Sequence, residues 1–73
     1  MYAFYESTTE FYVAGDHEAS FTAGRRVKID CGVDGIRYAS VVSSAYDDAT
    51  STYVTIDDAD VTSNITDVWL GII

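Results

Sequence analysis

The side chains best suited to chemistry lie in three places. From Asp58 onward, oxygen-bearing residues fall at every second position: Asp58, Asp60, Thr62, Asn64 and Thr66. That is the spacing of a calcium loop, which also needs a glycine at its sixth position and a bidentate glutamate at its twelfth. Those positions hold Ser63 and Trp69, so the segment reads as a solvated acidic turn. His17, with Cys31 or a serine and an aspartate, supplies the residue types of a nucleophilic triad. No Gly-x-Ser-x-Gly elbow accompanies them. Asp30 stands beside Cys31 where a reactive thiolate wants a cation, and His17 lies in a polar turn between Asp16 and Glu18. The pairs Asp47-Asp48 and Asp57-Asp58 do not make a glycosidase pair, because neighbours on a strand point to opposite faces. One histidine and one cysteine are too few for a Cys/His zinc site. The sequence therefore predicts no enzyme, no metal and no cofactor.

Aromatic residues are more informative. Six Tyr, three Phe and one Trp stand in 73 residues, more than the core of so small a domain holds. Those left outside mark binding faces, suited to packing on other subunits or to stacking on sugars. Tyr53 and Trp69 are out of phase with the apolar sets Val54/Ile56 and Val68/Leu70/Ile72. They are contact candidates, although Trp69 also suits a plug at one end of a barrel. Tyr2, Phe4 and Tyr5 join them from an aromatic N-terminal stretch.

Charge narrows the partners. Twelve acidic residues face four basic ones, a net charge of −8. Arg25, Arg26 and Lys28 form one small basic group and Arg37 stands apart. Nucleic-acid binding needs more clustered cations than that, and an anionic membrane surface is equally disfavoured. Residues 68–73, among the longest apolar runs, fall far short of a span, and no signal-peptide pattern opens the chain. Arg25 and Arg26 suit ion pairs with an acidic neighbouring subunit or with this chain's own carboxylates.

The elements that must position these residues are strands. Proline is absent, and Thr, Val, Tyr and Ser are abundant, which favours sheet. Residues 25–31 alternate, with Val27, Ile29 and Cys31 on one face. Gly32-Val33-Asp34-Gly35 is a hairpin connection. Residues 36–46 slip phase at Val41-Val42, as at a bulge or barrel corner. Residues 11–13, 53–56 and 68–73 are further strands, and residues 61–66 have room for one helical turn capped by Asp60 or Thr62. The expectation is an all-β, five-stranded SH3-like barrel, alternatively OB-like, over residues 11–73. Residues 1–10 form an aromatic arm or an edge strand. A domain this small hides only about 60% of its unfolded surface and gains from docking or oligomerisation.

Gly24-Arg25-Arg26-Val27-Lys28-Ile29, Gly32, Gly35 and Tyr38-Ala39-Ser40-Val41-Val42 resemble SH3-like barrels, including the KOW type. That type carries basic residues for RNA, where this chain is acidic. A closer resemblance comes from Phe11-x-Val13-x-Gly15-Asp16, Phe21-x-x-Gly24-Arg25-Arg26-Val27-Lys28, Tyr38-Ala39-Ser40-Val41-Val42, Val54-Thr55-Ile56-Asp57 and Trp69-x-Gly71-Ile72. Together these residues look like a small β-module of tailed-bacteriophage virion proteins, found in tail fibres and tail-associated polypeptides. The resemblance covers roughly residues 11–72. It implies a structural and assembly role in the virion, as a tail, fibre or head-decoration component docked on other virion proteins. It carries no catalytic residues. Many copies on a particle, or a homo-oligomer, would follow. A carbohydrate-binding, host-adhesion module of a tail fibre is the alternative.

Overall fold

The computed structural model describes residues 1–47, 50–58 and 61–71. Six strands are present among them: β1 (Phe4–Ser7), β2 (Glu10–Ala14), β3 (Arg26–Asp30), β4 (Ile36–Asp47), β5 (Ser51–Ile56) and β6 (Asp67–Leu70). Every pairing is antiparallel, in the order β1-β2-β5-β4-β3-β6. The protein is all-β, as its composition predicts, but five strands become six. The extra one is the N-terminal stretch, whose Phe4 and Tyr5 pair with Tyr12 and Phe11 of β2.

The sheet curls into a half-barrel because β4 serves two partners. Its first half pairs with β3 through residues 36–40 and its second half with β5 from Val41 onward. The register shifts between Val41 and Ser43, so Val42 is the extra residue that bends the strand. The phase slip in the sequence marks this same point. Ser40 and Asp57 secure the bend, the Ser40 amide donating to the Asp57 carboxylate at 3.0 Å and the Asp57 amide to the Ser40 carbonyl at 3.0 Å.

Residues 1–3 join the two outer edges of the sheet. Tyr2 bridges Asp67, the Val68 amide donates to the Met1 carbonyl at 2.8 Å, and the Ala3 amide donates to the Thr66 carbonyl at 2.9 Å. Unpaired strand edges invite pairing with other chains; this seam covers the start of β6, while β1 itself keeps an open outer side.

The core is the inner side of the alternating strands. Phe11 and Val13 of β2, Val27 and Ile29 of β3, Val54 and Ile56 of β5 and Val68 of β6 are buried. Burying each such side chain contributes about 1.5–3 kcal/mol. Phe21, from the loop before β3, meets Phe11 edge-on with centroids 5.9 Å apart, and Ser44 Oγ donates to its carbonyl at 2.7 Å. Thr52 is buried with its hydroxyl fully engaged, donating to the Gly15 carbonyl at 2.7 Å and accepting the His17 amide at 2.8 Å. His17 is a half-buried turn residue. Cys31 is buried.

Residues 61–66 depart from expectation. Val61 and Ile65 are buried, but the segment makes a single turn and no helix. Thr62 closes it, its carbonyl accepting the Ile65 amide at 3.0 Å and its hydroxyl the Asn64 amide at 3.3 Å. Such local side-chain bonding competes with helix formation. Asp60, the other expected cap, lies outside the described residues, as do Ile72 and Ile73 of the expected final strand. No helix among the described residues is long and apolar enough to cross a membrane.

Candidate functional site

The outer face of the half-barrel carries two aromatic strips. The first runs across β1, β2 and β5. In register, Phe4 opposes Tyr12, Tyr12 opposes Tyr53, and Tyr53 opposes Ala45 of β4. Alternation sends Phe11, Val13, Val54 and Thr52 inward, so Tyr12 and Tyr53 must point outward. Phe4 and Tyr12 stack at 5.1 Å and 18°, and Tyr12 and Tyr53 lie at 5.0 Å and 31°. Tyr2 closes the row edge-on against Phe4 at 4.8 Å and 82°. Four rings thus form one continuous row. The spacing of Phe4, Tyr12 and Tyr53 is close to that between strands, so these three rings stand upright with faces toward one another and edges toward solvent.

Carboxylates surround this row. Partial burial pushes the Tyr53 phenol above its ordinary value, and the negative charges of Glu6, Asp47 and Glu10 push it further, Tyr12 adding to them. Thr55 Oγ1 donates to Glu10 Oε2 at 3.4 Å beside it.

The second strip lies across β4, β3 and β6, where Tyr38, Lys28 and Trp69 stand in register. Trp69 is 43% and Tyr38 61% exposed. Lys28 Nζ sits 5.2 Å from the Trp69 ring centroid, a cation–π contact. Trp69 is therefore a surface residue and does not plug the barrel.

Of the contact candidates in the sequence, the structure brings Tyr2, Phe4 and Tyr53 together and sets Trp69 on the other strip. Tyr5 opposes Phe11, which puts it on the inner-facing side of β1, exposed only because the strand is an edge. Arg25 and Arg26 serve the fold. Arg25 Nε donates to the Gly71 carbonyl at 2.9 Å, and Arg26 Nη1 to Ser40 Oγ at 2.9 Å. Tyr12 and Tyr38 belong to the strips without having stood out in the sequence. The signal for Tyr12 was its place between the inward Phe11 and Val13.

Of the alternate oxygen-bearing residues from Asp58 onward, Asp60 lies outside the described residues, and Thr62 and Asn64 both turn to Asp34. Thr62 Oγ1 and Asn64 Nδ2 donate to Asp34 Oδ2 at 2.7 and 2.9 Å, tying that turn to the hairpin after β3. These two bonds, chiefly that from Thr62, hold the Asp34 carboxyl below its ordinary value, with Arg37 adding to them against a smaller opposing effect of burial.

Comparison with known protein families, curated proteins and solved structures found no match.

Proposed function

We propose that this chain is a non-enzymatic structural and assembly module of a tailed-bacteriophage particle, docking on other virion proteins in the tail, fibre or head decoration. The observation that carries the docking reading is the row Tyr2–Phe4–Tyr12–Tyr53, set outside a barrel whose interior is already filled. Aromatic side chains on a surface concentrate binding energy, and contacts repeated over many copies add through multivalency. The resemblance over residues 11–72 supports the virion as the place, reached by assembly in the host cytoplasm. The meander β3–β4–β5 around a bulged strand supports a barrel of the SH3-like kind.

Sedimentation of the chain alone, and with particles lacking it, tests this reading. A trimer, a hexamer or saturable binding to the particles is the expected result. A monomer that ignores the particles overturns it.

The second strip supports a separate reading as a glycan-binding surface, because Trp69 and Tyr38 flank Lys28 on an exposed face. On this reading Trp69→Ala abolishes retention on a glycan column, while Tyr12→Ala does not.

A further inference from the structure

We infer that the outer face beside Tyr53 takes the guanidinium of an arginine presented by a protein partner; this deepens the docking reading above and rests on it. Tyr12 covers one side of Tyr53. On the other side the register places Ala45, an exposed residue whose side chain is a single methyl. The aromatic row therefore ends in a step: an upright phenol ring with a low floor next to it. Alternation along β4 puts Ser43 and Asp47 on the same face as Ala45, opposite Thr55 and Ser51. The step thus has an aromatic wall, a methyl floor and a carboxylate at one end, with Glu10 beyond the wall bound to Thr55.

A planar cation fits that shape. Guanidinium stacks on aromatic faces and pairs with carboxylates through a rigid fork, whereas ammonium is a compact, strongly hydrated point charge. Charge points the same way, since Glu6, Glu10 and Asp47 act on Tyr53 and the chain carries −8. An acidic partner is repelled here. A sugar ring needs an aromatic face lying open along the surface, and the rings of this row turn their edges outward.

The test is an NMR titration of the whole ¹⁵N-labelled chain with acetyl-Gly-Arg-Gly-amide, its lysine and citrulline counterparts, and a tetramer of N-acetylglucosamine. Saturating shifts centred on Ala45, Asp47 and Tyr53 are expected, strongest for arginine and absent for citrulline. Ala45→Ile fills the step from an exposed strand position while leaving Tyr53 itself unsubstituted. It should weaken the arginine peptide by about two- to fivefold, the range of an exposed cation–π contact, and Asp47→Asn should weaken it comparably. Equal responses to arginine and lysine that Ala45→Ile leaves unchanged would mean bare charge attraction and overturn the proposal. So would shifts at these residues from the sugar alone. Co-sedimentation with particles separates the two readings. If Ala45→Ile binds particles as the parent chain does, the arginine step fails and docking stands. If the parent ignores particles yet takes the arginine peptide at this step, docking fails and the step stands.

Discussion

The Gly71 amide donates to the Arg26 carbonyl at 2.7 Å, and a Cβ built on Gly71 would stand 3.1 Å from both that oxygen and Arg26 Cβ. The backbone leaving β6 is pressed against β3 at a distance only glycine allows comfortably. Gly71→Ala should therefore lower stability by about 1 kcal/mol, the lower end of overpacking costs, read as a shift of the urea midpoint. Gly24 is a useful contrast. It has open space around it but φ of +88°, so Gly24→Ala should also destabilise, through its backbone alone. Asparagine, which tolerates positive φ, should recover part of the loss at Gly24 and none at Gly71.

Removing residues 1–3 should reopen the seam. The deletion loses two backbone hydrogen bonds and the buried Ala3, at about 0.5–1.5 kcal/mol per bond. Amide exchange should rise first at Val68, whose donor then lacks its acceptor. Unchanged exchange at Val68 would show that the seam contributes nothing.

Asp34 should titrate below ordinary aspartates in a carboxyl NMR titration, because it accepts from Thr62 and Asn64. Thr62→Val removes the larger cause and should move it back up. A carboxylate held low when folded favours the native state above its unfolded value. That contribution fades as pH falls through the lowered folded value, so Asp34→Asn should flatten stability against pH only in the acid range.

Tyr53 should ionise above the ordinary tyrosine value in an absorbance titration of the phenolate. Glu6→Gln and Asp47→Asn should each bring it back down, since both carboxylates raise it. A phenol raised on folding supports the native state fully below its unfolded value, and the support is lost as pH climbs through the folded one. A Tyr53 unmoved by both substitutions would mean that neither carboxylate acts on it.

Local patterns in the sequence reached much of the fold. Val27, Ile29 and Cys31 alternate because β3 is covered on one side, and all three are buried. Val41-Val42 break phase because β4 changes partners there. What stayed hidden depends on register between distant segments. Phe4, Tyr12 and Tyr53 become neighbours only through two strand pairings, and nothing local announces which outward residues will align. Val61 and Ile65 are spaced as on a helix, yet Thr62 turned that segment by bonding its own backbone. The arginine pair showed its charge in the sequence, but not that one guanidinium would reach the Gly71 carbonyl.

The seam between Met1 and Val68 has a topological consequence. It brings Met1 beside Val68 of β6, three residues before Gly71, the last residue described. Met1 and Gly71 therefore lie roughly 11 Å apart, three residues of strand rise set off by one strand spacing. A body with adjoining ends can be spliced into a surface loop of a larger polypeptide without stretching its host. The two ends of the described chain thus lie near enough on one flank to meet the geometric condition for such an insertion.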